Sequence, residues 1–372
     1  MKSYLFPGQG SQRVGMGENL FDAFPDITAT ADAILDYSIK ELCLRDPDRQ
    51  LGQTQYTQPA LYVVNALNHR QRARDTGERP DFVAGHSVGE YNALECAGVV
   101  SFEDGLRLVQ RRGQLMSTAP KGAMAAVIGL TAERVGEILA ENGLSAIDVA
   151  NYNAHNQTII SGLEADIRDA QPCFERHQGM YIPLNVSGAF HSRYMAPVQA
   201  DFADFLDTIK FSDPRIPVIA NVDARPYQPG QVARTLRDQL THSVRWLDSI
   251  RYLLDQGVQE FIESGPGDVL TKLVRSIRSQ YKPAPATASA IAPAITPPPA
   301  AVRRNGGAED AQQTVAAWNR SFPVGSRVRV KGYDDALITK TEAVVLFGHR
   351  AAVYMQGYNG YFALDDVEPA AS

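Results

Sequence analysis

Along the first 281 residues, short apolar runs alternate with longer stretches in which apolar residues recur every three or four positions. The runs at 4–6, 82–84 and 218–221 and the stretch at 258–262 predict strands, that at 82–84 a buried one, and the periodic stretches between them predict helices. Residues 20–67 read as mostly helical, with Gln58-Pro59-Ala60 opening a helix through Leu61, Val64 and Leu67. Residues 70–79 read as a polar connection, and Pro59 suits a first helical position. Strands alternating with helices predict a three-layer α/β unit around a parallel sheet.

Ser101 and Asp104 form a capping box for the next helix, whose Leu106, Val109, Gly113 and Met116 fall on one stripe. Arg107 and Arg111 lie opposite that stripe, but Arg112 falls on the buried side. A charge turned inward requires an anionic partner, either an internal carboxylate or a bound one. From about 123 to 186 the pattern becomes strand, helix, strand, strand, helix, strand, with Thr131 as a helix cap. That order predicts a ferredoxin-like subdomain inserted into the larger one.

After Tyr281 the composition breaks. Residues 282–305 are rich in Pro and Ala and predict an extended linker. Residues 306–372 predict a short helix and several short strands with Gly-containing turns, a small SH3-like β-barrel.

Composition narrows the class. The chain has 372 residues, a net charge of −6 and 21% charged residues, so neither nucleic acid nor a membrane surface is an expected partner. Three scattered cysteines exclude a disulfide framework and a cysteine metal cluster, and the expected compartment is the reducing cytoplasm.

The chemistry centres on Gly85-His86-Ser87-Val88-Gly89, set between the strand at 82–84 and a helix carrying Val88, Tyr91, Leu94 and Ala97 on one face. Strand, Gly-x-Ser-x-Gly and helix together make a nucleophile elbow, which projects Ser87 from the sheet end toward helix N–H groups that favour an oxyanion. The bland reading is a Gly-rich turn with a capping serine. Among seven histidines, His191 lies in a small-residue loop between subdomains and is the candidate base, with a structural role as its alternative. Alternation points His86 away, His69, His177 and His349 read as surface residues, and His155 and His242 stay open. A second Gly-rich turn, Pro7-Gly8-Gln9-Gly10, follows the first strand and reaches the same sheet end.

These residues together resemble the malonyl-CoA:acyl carrier protein transacylases, both stand-alone enzymes and acyltransferase domains of polyketide synthases, over about residues 1–280. The motifs are Pro-Gly-Gln9-Gly-Ser-Gln, Gln58-Pro-Ala, Gly-His-Ser87-Val-Gly-Glu-Tyr, Arg111-Arg112-Gly113, Gly188-Ala-Phe-His191-Ser, Asn221-Val-Asp and Gly265-Pro-Gly. The resemblance implies Ser87 as nucleophile, His191 as base, and the Gln9 and Val88 N–H groups as oxyanion hole. It implies Arg112 as the grip on a malonyl carboxylate, Gln58 and Phe190 as substrate contacts, and the Gln239 and Asn221 region as the histidine's orienting partner. Its substrates would be malonyl-CoA and a phosphopantetheinylated acyl carrier protein of fatty acid or polyketide synthesis, with no bound cofactor and no metal. The alternative is a hydrolase that clears acyl chains from carriers; a buried guanidinium has no use for neutral chains.

Overall fold

The computed structural model describes residues 1–282, 308–330, 336–346, 350–356, 361–364 and 367–369. The linker expected at 282–305 lies outside them from residue 283 onward. The chain divides into two units, Met1–Ala288 and Ser289–Ser372.

The first unit opens with β1 (Lys2–Phe6), the short helices α1 (Leu20–Ala23), α2 (Pro25–Leu35) and α3 (Ile39–Leu44), and the long α4 (Thr54–Thr76). Next come β2 (Phe82–Gly85), α5 (Gly89–Cys96) and α6 (Phe102–Thr118). The inserted segment is β3 (Gly122–Ile128), α7 (Ala132–Glu141), β4 (Asp148–Ala154), β5 (Gln157–Leu163), α8 (Glu164–Glu175) and β6 (Met180–Pro183). The chain returns through α9 (Ala196–Leu206), β7 (Val218–Ile219), α10 (Val232–Gln239), α11 (Trp246–Asp255), β8 (Glu260–Glu263) and α12 (Val269–Gln280).

The large sheet is parallel, in the order β7-β2-β1-β8. Its inner strands β1 and β2 are buried along nearly their whole length, while β8 at the edge is partly exposed. Alternation sends Tyr4 and Phe6 into the core shared with α4 to α6, and Leu5 into the core shared with α11 and α12. The inserted sheet is antiparallel, in the order β4-β5-β3-β6, and α7 and α8 cover it through Val135, Ile138, Ile167 and Phe174. This is an α/β hydrolase-like body carrying a ferredoxin-like subdomain. Ser101 caps α6 by accepting from the Asp104 N–H at 3.0 Å, and Thr131 caps α7.

Two expectations change. Helix α4 starts at Thr54 rather than at Gln58, and Pro59 lies inside it. The buried Thr57 hydroxyl hydrogen-bonds the Leu51 carbonyl at 2.6 Å and stabilises a first turn that apolar periodicity does not reveal. The helix also absorbs most of the polar stretch at 70–79, ending where Gly77 takes φ +64° and donates to the Ala73 carbonyl. His69 is correspondingly not a surface residue. It stands edge-on to Tyr4 and Phe6, at 5.8 and 6.0 Å, and burial pushes its pKa down to about 4.

Backbone contact sets the geometry at the sheet end. A Cβ on Gly89 would lie 2.1 Å from the Phe6 carbonyl oxygen, and one on Gly8 would lie 2.3 Å from the His86 carbonyl oxygen. Backbone cannot yield as a side-chain tip does. Gly89→Ala should therefore cost at least about 3 kcal/mol of stability. Urea denaturation followed by circular dichroism measures it, and a midpoint near the wild-type value would refute the close-packing account.

The second unit contains α13 (Ala308–Ser321), the helix expected in this region, and six short strands among the described residues. Strands β9 (Arg327–Val330), β10 (Leu337–Ile338) and β14 (Val367–Pro369) form one antiparallel sheet. The other comprises β11 (Val344–Leu346), β12 (Arg350–Tyr354) and β13 (Tyr361–Ala363). A bridge between Thr339 and Met355 joins the two. Val328, Val353 and Met355 form their common core, against which Val315 and Trp318 of α13 pack. Among the described residues no helix is long and apolar enough to cross a membrane.

Candidate active site

Ser87 sits between β2 and α5 with φ +53°, a left-handed conformation that a residue with a side chain adopts only when its surroundings impose it. Two amide side chains do so. The Ser87 N–H donates to Asn221 Oδ1 at 2.8 Å, while Asn221 Nδ2 donates to the Gly85 carbonyl at 2.7 Å. On the other side Gln239 Nε2 donates to the Ser87 carbonyl at 3.0 Å. Asn221 thus holds the elbow. It was expected in the histidine-orienting region, but both ends of its amide are engaged by the Gly85–Ser87 backbone.

His191, also left-handed at φ +55° and 4% exposed, places Nε2 2.8 Å from Ser87 Oγ. Its Nδ1 lies 2.9 Å from the Gln239 carbonyl oxygen. A carbonyl can only accept, so Nδ1 carries the proton and Nε2 is left free to accept from the serine hydroxyl. Burial, and then the nearby Arg112 charge, push the His191 pKa down to about 3. The imidazole is neutral at physiological pH, as a general base must be.

Arg112 is 1% exposed. Its guanidinium donates to Gln58 Oε1 at 2.8 Å, to Gln239 Oε1 at 3.0 Å and to Ser87 Oγ at 3.2 Å, and lies 5.6 Å from the Tyr91 ring centroid. Among the described residues it forms no salt bridge, and its Nε has no hydrogen-bond partner. Amide oxygens orient a guanidinium without neutralising it. The result is a fixed, buried positive charge at hydrogen-bonding distance from Ser87 Oγ, with no carboxylate among the described residues in contact, though Glu90 lies within electrostatic reach.

These groups open onto a cavity of about 440 Å³ between the large and inserted subdomains. Gln9, Gln58, Val88 and Phe190 line its large-subdomain side, while Met124, Ala126 and Ile159 line the other. All the sequence-predicted site residues except Gln239 and Asn221 therefore face the cavity, and those two support it from behind. His86 is turned to the inserted subdomain, with Nε2 2.9 Å from Asn153 Oδ1 and its ring 5.4 Å from that of Trp246. His155, His177 and His242 are engaged with Arg251, Arg134 and the Asp238 carbonyl, while His349 lies outside the described residues.

Glu90 takes part in this site although nothing in motif spacing assigns it a role, because a glutamate in a first helical turn ordinarily faces solvent and the dipole. Here it is 0% exposed and accepts from Gln239 Nε2, from the Tyr227 hydroxyl at 2.6 Å and from the Asn221 N–H at 3.1 Å. Burial raises its pKa to about 7, against the pull of those three donors and of Arg112.

Residues 3–316 match the model of the acyl transferase domain. The chain is 54% identical over 288 residues to the polyketide biosynthesis malonyl CoA-acyl carrier protein transacylase BaeC of Bacillus velezensis, covering 77% of this chain and 100% of that one. It is 53% identical over 287 residues to PksC of Bacillus subtilis, described by the same words, with the same coverage. Among solved structures, a malonyl CoA-acyl carrier protein transacylase from Burkholderia pseudomallei is 51% identical, with a TM-score of 0.74 over 76% of this chain and 99% of that one. A malonyl-transacylase in complex with its type II polyketide synthase acyl carrier protein is 35% identical, with a TM-score of 0.71 over 75% and 93% of the two chains.

Proposed function

The chain belongs to the acyl transferase domain family, and from that premise we propose that it transfers malonyl groups from malonyl-CoA to the phosphopantetheine thiol of an acyl carrier protein through a malonyl-Ser87 ester. One observation carries the reading: the buried Arg112 guanidinium, without a carboxylate partner, beside the Ser87–His191 pair. A donor bearing its own carboxylate supplies the missing charge; an acetyl or long neutral chain does not.

The proposed steps use the Ser87–His191 pair and the oxyanion-hole groups that the resemblance implies. His191 Nε2 accepts the Ser87 proton as Oγ bonds to the thioester carbon. The resulting oxyanion is received by the N–H groups of Gln9 and Val88, one such donor typically contributing about 3 kcal/mol. The C–S bond then breaks, and the CoA sulfur takes the proton from His191. In the second half the carrier's pantetheine thiol gives its proton to His191 and attacks the ester carbonyl, and the Ser87 oxygen leaves with that proton. Phe190 lines the cavity, and Gln58 with Gln239 fixes the Arg112 fork.

Polyketide assembly is the proposed setting, supported by the two relatives matched over their whole length, both described as polyketide biosynthesis proteins. The cytoplasm is the proposed compartment, in keeping with the free thiols of Cys43, Cys96 and Cys173. Residues 1–281 are the proposed catalytic body, with 282–305 as linker and 306–372 as an accessory barrel.

The test is the intact mass after brief mixing with malonyl-CoA. One malonyl group should appear on Ser87, be absent from Ser87→Ala, and disappear on adding phosphopantetheinylated carrier protein. An adduct that persists on Ser87→Ala, or one lost to water as fast as to the carrier, refutes transfer through Ser87.

A further inference from the structure

The groups behind the elbow form a chain of hydrogen bonds whose direction is fixed at one end. Glu90 Oε1 faces the Asn221 N–H, a backbone donor that cannot be turned round, and the Tyr227 hydroxyl. Glu90 Oε2 faces the Gln239 side chain. Above its raised pKa of about 7, Glu90 is a carboxylate and accepts at both oxygens, so in that form the Gln239 amide must present its NH₂ to Glu90 and its oxygen the other way. That oxygen meets Arg112, and the same NH₂ also reaches the Ser87 carbonyl.

An amide at position 90 breaks this order. Its NH₂ cannot face the Asn221 N–H, so it must face Gln239. Gln239 then has to turn its own oxygen toward position 90, leaving its NH₂ against the Arg112 guanidinium, donor against donor. The turn also withdraws the donor from the Ser87 carbonyl.

We propose that Glu90 is a positioning residue: it sets which way the Gln239 amide faces, and through Gln239 it holds Arg112 aimed at the substrate's carboxylate. This rests on the malonyl-transfer reading above. It assigns specificity to a side chain that lies on the far side of Gln239 from the guanidinium it controls.

The test compares wild type, Glu90→Gln, Glu90→Asp and Tyr227→Phe for the rate of Ser87 acylation by malonyl-CoA and by acetyl-CoA, with melting curves alongside. Glu90→Gln should lower the malonyl-to-acetyl preference at least about tenfold, through a higher half-saturating malonyl-CoA concentration, the size of a lost hydrogen bond to a charged group. Glu90→Asp keeps an acceptor-only group and should keep the preference within about threefold, a loss smaller than one hydrogen bond. Tyr227→Phe removes a donor from Glu90 without altering the facing of Gln239, so it should melt lower and keep the preference. A folded Glu90→Gln chain with wild-type preference, or a Glu90→Asp or Tyr227→Phe chain that loses it, overturns the proposal. A wild-type chain that forms no malonyl-Ser87 at all refutes the functional reading instead, a result distinct from these.

Discussion

His191→Ala acylates Ser87 about a thousandfold more slowly than wild type, the usual contribution of a positioned general base. With acetyl-CoA, whose transfer does not depend on how Glu90 aims Arg112, the rate stays level as pH falls from 7 to 5, because the fold holds the His191 pKa at about 3. An unperturbed histidine would halve the rate near 6.5. Folding stability moves the other way. The unfolded chain protonates this histidine below about 6.5 and the native site does not, so stability declines as pH drops through that window. Rapid-quench mass measurements from pH 7 to pH 5 check the first point, and urea midpoints over the same range check the second. A rate that falls tenfold by pH 5.5 in a chain still folded would show that the base is an ordinary imidazole.

Arg112→Ala raises the half-saturating concentration of malonyl-CoA by about a hundredfold or more, because a carboxylate left unpaired in a buried site costs several kcal/mol. Acetyl-CoA offers no carboxylate, and its rate stays within about threefold of wild type, so the variant's preference inverts. The comparison is internal to one variant and therefore insensitive to how much of the chain is folded. Equal losses with both donors would make Arg112 a structural residue. Arg112→Lys should recover only part of the malonyl preference, since an ammonium supplies the charge without the planar fork that Gln58 and Gln239 hold.

Much of this was legible in the chain because the site is built from local patterns. The elbow announces itself by a strand, two glycines and a helix, and the inward turn of Arg112 follows from counting 100° per residue along α6. The small subdomain follows from the order of its elements. What stayed hidden depends on contacts between distant segments. Helix α4 begins on buried threonines whose partners lie upstream of it, and His69 is enclosed by a strand more than sixty residues away. Asn221 and Glu90 belong to one network with Gln239, and their roles are defined only once three separate segments meet behind Ser87. The family motifs point to Asn221 and Gln239 but give Glu90 no role, and they cannot say which side of the serine each one touches.

The backbone contacts at the sheet end also limit how this chain can be altered. Gly8 abuts the His86 carbonyl and Gly89 abuts the Phe6 carbonyl, so the first two strand ends are seated directly on one another with no side chain between them. Ordinary substitution offers no intermediate there: the smallest possible addition already collides. The opposite wall is different, since Met124, Ala126 and Ile159 meet the cavity through side chains on a separate sheet. Evolution or a protein engineer seeking to admit a branched or longer acyl group is thereby directed to that wall and to lining side chains such as Phe190 and Met116, while the backbone frame of the reacting pair is kept. New donor specificities on this scaffold should accordingly arise by remodelling the inserted subdomain, or by exchanging it whole.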